Sequence, residues 1–146
     1  RILRTAEELG IALCLENGNG YERDALKHSV APTHKRRTRR MLGDRIGFTV
    51  DVGHGTYFSR DPAYLIDERG PDLVRLSHLH DNSGDADEHR PLGTGVLELE
   101  KLIRRYAAGK WTFPLNLEHK NVADLLASVD RFDQTLEKMK FPGASA

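Results

Sequence analysis

Four residues at regular places in this chain carry side chains that ligate hard cations: Glu16, Asp51, His78 and Glu118. Each closes a short apolar run, in LCLE, FTVD, LSH and LNLE. A single Asp or Glu after a strand is most often a solvated loop residue or a helix cap. Four at equivalent positions are another matter, because parallel strands bring such ends into one small volume. Crowded carboxylates there are costly unless a cation joins them. Three carboxylates and one imidazole form an oxygen-rich set suited to Mn²⁺, Mg²⁺ or Co²⁺, and to Zn²⁺ if more histidines contribute.

Further candidates stand beside these four. His54 follows Asp51 by three residues, His80 shares strand parity with His78, and Asp81 and Asn82 open the next loop. Asp87 and His89 are separated by one residue, so an extended segment would present a carboxylate and an imidazole side by side. Each of these alone is as readily a surface histidine or a capping Asp as a functional group. Yet His54, His78, His80, His89 and His119, five of the seven histidines, fall at or just after strand ends. Chance would scatter them more widely.

The elements that must position these groups alternate. Ile2, Leu3, Ala6 and Leu9 recur at helical spacing, with Gly10 as a stop before a strand from Ile11 to Leu15. A turn-rich, then strongly basic stretch leads to a second strand, Ile46 to Val50. A short helix follows, with Ser59 as candidate N-cap and Gly70 as stop. A third strand, Leu73 to Leu79, runs into DNSGDADEHRPLGTG, too polar and Gly-rich for regular structure. Helix Val96–Ala108, strand Thr112–Leu117 and helix Val122–Met139 complete the chain.

Four strands alternating with helices predict a parallel sheet with right-handed crossovers. Leu13 and Leu15, Phe48 and Val50, Leu115 and Leu117 put large apolar residues on one face. Small or polar residues take the other. An open doubly wound sheet is apolar on both faces, whereas barrel enzymes place their chemistry on an inner face at the C-terminal strand ends. Eight strand–helix units take about 250 residues. The reading is therefore an α/β chain, residues 1–146 forming one partial domain, the C-terminal half of a (β/α)8 TIM barrel. The chain opens at Arg1 rather than Met, so the native N-terminus is expected upstream.

No apolar run reaches the roughly 20 residues of a membrane helix. Twenty-two basic residues balance 22 acidic ones, which argues against nucleic acid as a partner. The single cysteine, Cys14, cannot form an intrachain disulfide and fits a reducing, cytoplasmic setting. The basic run Lys35, Arg36, Arg37, Arg39, Arg40 could grip phosphates but is more often a solvated loop.

The segments LEN, DVGH, HLHDN and DEH followed by PLGTG resemble the xylose isomerase-like barrel superfamily, which holds sugar isomerases and epimerases together with endonuclease IV. The resemblance covers nearly the whole chain. It implies a Glu on the fifth strand, Asp-x-x-His after the sixth, a His on the seventh and a Glu on the eighth. These match Glu16, Asp51 with His54, His78 and Glu118. The epimerase-like reading makes Glu16, Asp51, His78 and Glu118 metal ligands, with Glu16 and Glu118 also the catalytic pair, one removing a proton and the other returning it through a metal-stabilised enediolate. His54, Asp87, His89 and Arg90 would then contact a sugar or sugar phosphate. The alternative is an endonuclease IV-like phosphodiesterase with a multi-zinc site, in which Asp87 and His89 are ligands. A third reading is a half barrel that binds metal without turnover, associating with itself or with a missing first half.

Overall fold

The structure, a computed structural model, describes residues 2–18, 46–57, 59 and 61–139. Its elements are α1 (Ile2–Glu8), β1 (Leu13–Glu16), β2 (Ile46–Asp51), the single turn α2 (Val52–Gly55), α3 (Tyr64–Arg69), a 3-10 turn (Pro71–Leu73), β3 (Val74–Leu79), α4 (Leu99–Ala108), β4 (Leu115–Leu117) and α5 (Val122–Met139). The strands form one sheet in the order β1-β2-β3-β4, every neighbour parallel. The expected four-strand α/β alternation is therefore present. The basic run at 35–40 lies outside the described residues.

Alternation along each strand divides the sheet into two faces. Phe48, Val50, Val74 and Leu79 pack beneath Leu65, Ile66, Leu102 and Ile103 of the helices, forming one buried cluster. The opposite face carries Glu16, Asp51 and His78. Pairing places Asp51 beside His78 and His78 beside Asn116, and paired residues of a parallel ladder share a face. The β2–β3 register shifts between Phe48 and Thr49: Phe48 pairs with Val74, but Thr49 pairs with Leu76. One extra residue, Arg75, is absorbed there.

Several boundaries differ from the sequence expectation, each for a local reason. Ser59 is not a helix N-cap; its hydroxyl accepts from the Asp61 amide, the Asp61 carboxylate in turn accepts from the Ala63 amide, and α3 starts only at Tyr64. Gly70 does end that helix, at φ 87°. Helix α4 starts at Leu99 rather than Val96, because the Val96 and Leu97 amides donate to the Asn82 carbonyl and the Asp81 carboxylate. The fourth strand begins after Pro114, which has no amide to donate. Cys14 is exposed.

Both outer strands leave an unpaired edge in the described sheet, and apolar side chains flank them. Val122 and Leu126 of α5 are 70% and 59% exposed, and Leu15 of β1 is also exposed. Such edges and patches invite association. Light scattering of the isolated chain is expected to give a mass above 16.4 kDa; a well-behaved monomer of that mass would count against this.

Candidate metal centre

At the C-terminal rim two groups of potential ligands lie side by side. Glu16, Asp51, His78 and Glu118 form the first, and His54, His80, Asp87 and His89 the second; within each, one ligand atom per residue lies within 4.8 Å of the others. The first is the expected quartet. His78 Nδ1 stands between two carboxylates, 2.9 Å from Glu16 Oε1 and 3.0 Å from Glu118 Oε2. Glu118 reaches this place because its amide donates to the Leu79 carbonyl, continuing the β3–β4 ladder one residue past the strand.

Asp51 is wholly buried and performs a structural task as well. Its Oδ1 accepts the His54 amide at 2.8 Å, capping α2, so the Asp-x-x-His spacing delivers His54 one helical turn beyond the strand. Asn17 locks the end of β1 to the end of β2 through a reciprocal pair: its Nδ2 donates to the Asp51 carbonyl at 3.0 Å, and its Oδ1 accepts the Asp51 amide at 2.9 Å. Sequence reasoning touches Asn17 only within a motif and assigns it no role.

The second group has a consistent chemistry that the sequence does not reveal. A carbonyl oxygen can only accept, so a ring nitrogen facing one must carry the proton. His54 Nδ1 faces the Asn17 carbonyl at 3.0 Å, His80 Nδ1 that of Asp81 at 3.3 Å, and His89 Nδ1 that of Glu118 at 3.2 Å. With all three Nδ1–H groups committed, Nε2 is the nitrogen left to ligate, the arrangement typical of metal-ligating histidines; His80 Nε2 also lies 3.2 Å from Asp51 Oδ1, so its proton is held by that carboxylate until a cation displaces it. The three Nε2 atoms lie 3.5, 3.9 and 3.1 Å from one oxygen, Asp87 Oδ1. Ligand atoms about 2.0–2.1 Å from a tetrahedral zinc sit about 3.3 Å apart, so these separations suit a small ion. His54 Nε2 is buried and finds no hydrogen-bond partner among the described residues, as fits a lone pair kept for a cation. The donor sets differ: three oxygens and one nitrogen in the first group, three nitrogens and one oxygen in the second. The first suits Mn²⁺, Mg²⁺ or Co²⁺, and the second suits Zn²⁺.

From the sequence His80 only shares parity with His78, yet it is completely buried and stacks on His89, ring centroids 4.0 Å apart. Burial alone would lower its pKa, but the hydrogen bond and charge of Asp51, the Asp81 carbonyl and the Asp87 charge outweigh this and raise it above the ordinary histidine value. Asp87 and His89 do meet, though not in an extended segment, since His89 takes the left-handed conformation at φ 56°. Arg90 stands apart from the group. Its guanidinium faces Glu88, 3.9 Å away, and the carboxyl of Glu88 is held below the usual carboxylate range by hydrogen bonds from the Ser83 side chain and amide. A cavity of about 400 Å³ opens between the two groups, lined by Glu16, Asn17, Gly18, His54, Asp87, His89 and Glu118.

Comparison with known proteins decides the family. The profile described as xylose isomerase-like TIM barrel matches residues 1–141. The chain belongs to this family. The uncharacterised protein MJ1311 of Methanocaldococcus jannaschii is 26% identical over 140 residues, covering 93% of this chain and 46% of that protein. A D-tagatose 3-epimerase-like protein superposes with a TM-score of 0.75 at 23% identity, over 94% of this chain and 51% of that one. The TTHB071 protein from Thermus thermophilus, soaked with ZnCl₂, superposes with a TM-score of 0.68 at 27% identity, over 94% and 49%. The chain thus spans about half the length of the relatives it matches.

Replacing Asn17 with Ala removes both sides of the clamp. It should cost about 1–3 kcal/mol in chemical denaturation and weaken divalent-ion binding about tenfold in calorimetric titration. Unchanged ion affinity would show that the clamp does not align the ligands.

Proposed function

We propose that this chain carries the metal-binding wall of a sugar or sugar phosphate isomerase or epimerase that works by proton transfer. The observation that carries the reading is the different exposure of the first group's carboxylates. Asp51 is buried, whereas the Glu16 and Glu118 side chains are 44% and 40% exposed on either side of His78. In this reading Asp51 and His78 act as ligands alone, while Glu16 and Glu118, which line the cavity, also meet the substrate. A divalent ion held by these four residues would polarise adjacent substrate oxygens and acidify the neighbouring C–H bond.

The chain's own groups supply the rest. Glu16 and Glu118 approach from the two outer strands, so a sugar carbon between them presents one face to each. One carboxylate takes the proton and the other returns it, which needs both groups within hydrogen-bond reach of the same carbon. His54 and Asp87 line the cavity and can hold a hydroxyl. The epimerase-like structural relative agrees with this reading at the level of fold. The working unit is an assembly in which a complementary half barrel covers the open side of the cavity.

A second reading is favoured by one specific feature, the three-histidine group. An endonuclease IV-like phosphodiesterase uses several ions to activate water and hold phosphate oxygens, and His54, Asp87 and His89 would then be ligands rather than substrate contacts.

The reactions separate cleanly in the assembled barrel. Glu16→Gln or Glu118→Gln should abolish solvent deuterium uptake at a sugar carbon, a loss of at least about 10²-fold, while an ion still binds through the amide oxygen. His78→Ala should weaken the ion itself. Nicking of abasic DNA without any deuterium exchange would reject the isomerase in favour of the phosphodiesterase.

A further inference from the structure

The loop between β3 and α4 holds three residues of the second group, His80 at its start and Asp87 and His89 further on, yet contains no helix or strand longer than a single bridge. What holds it is one side chain. The Asp81 carboxylate is completely buried and accepts four backbone amides: Asn82 and Leu97 on Oδ1, Gly93 and Gly95 on Oδ2, each at 2.9 Å. Its own backbone pairs with Arg90 in both directions, at 2.9 and 2.8 Å. Both the start and the end of the loop are thereby tied to one residue, and the segment carrying Asp87 and His89 is held between them. Its carbonyl also receives His80 Nδ1.

The second glycine of PLGTG, Gly95, has a matching reason. A Cβ on Gly95 would lie 2.4 Å from Asp81 Oδ1 and 2.1 Å from the Asn82 carbonyl oxygen, so only glycine lets the chain approach the carboxylate. His89, immediately before the paired Arg90, stays in the left-handed region, a strain that persists only where surrounding contacts over-determine it.

We infer that Asp81 is a positioning residue for the second ligand group: its carboxylate gathers the loop amides and so presents Asp87 and His89 to His54 and His80. The inference rests on the metal-dependent reading above, but on ion binding rather than turnover. Asp81 touches neither ion nor substrate. It acts through the backbone, and its effect should be confined to the group that the loop completes, because Glu16, Asp51, His78 and Glu118 stand on or beside the strands.

The test is a Co²⁺ titration of the chain, followed by visible absorption, which separates a tetrahedral nitrogen-rich centre from a weakly absorbing oxygen-rich one. In Asp81→Asn, two of the loop amides face an NH₂ group instead of an oxygen. Affinity at the histidine centre should fall about 10–100-fold, with less than about a threefold change at the oxygen-rich centre. Gly95→Ala, which pushes on the same carboxylate and alters no charge, should reproduce the selective loss, and its result stands if Asp81→Asn fails to fold. An equal loss at both centres would reduce Asp81 to a general structural role and overturn the inference. So would unchanged binding at both, or a wild-type chain with no histidine-centred band. Loss of deuterium exchange in a chain that binds both ions would instead reject the proposed reaction and leave the role of Asp81 standing.

Discussion

A one-residue shift in strand register underlies the arrangement of the rim. Ahead of the shift Phe48 is paired with Val74, and continuing that pairing would set Asp51 opposite Ser77. His78 would then point to the helix side, since a slip of one residue turns every side chain to the other face. Absorbing Arg75 between the two registers brings His78 onto the face of Asp51 and between the carboxylates of Glu16 and Glu118. The first ligand group exists because β2 and β3 are out of step by that single residue.

Electrostatics then explain why so many hydrogen-bonding groups crowd the same rim. Asp51 and Asp81 are fully buried, and a buried carboxylate without partners is strongly unfavourable. The two are satisfied in different ways. Asp81 is satisfied by peptide amides alone, which fix backbone and demand no ion. Asp51 receives the His54 amide and the His80 ring, and so stands at the boundary between the two ligand groups. One carboxylate shapes the loop while the other links the centres.

What is legible in the sequence follows from this division. Glu16, Asp51, His78 and Glu118 can be read because a period-two pattern announces where a strand ends, and parallel strands end together. The helix Val122–Met139 can be read because its apolar spacing is long and uninterrupted. The roles of Asn17 and Asp81 cannot, because their partners are peptide groups, which every residue possesses and no letter of the sequence marks. The start of α4 is misplaced by periodicity for the same reason: the Val96 and Leu97 amides serve Asn82 and Asp81 before any helix begins. His80 is a neighbour by parity, but its burial depends on the Asp81-held loop folding back to stack His89 against it.

The position of the two cavity-lining glutamates has a mechanical meaning. Glu16 belongs to β1 and Glu118 follows β4, so the pair sits on the two outermost strands, with β2 and β3 between them. Asp51 and His78 are held from both sides by hydrogen-bonded neighbours, but the gap between the glutamates widens or narrows with the curl of the whole sheet. That curl is least constrained at the two outer strands, each paired on one side alone in the described sheet. The spacing of the two carboxylates therefore behaves like the jaw opening of a calliper whose screw lies at the sheet's edges.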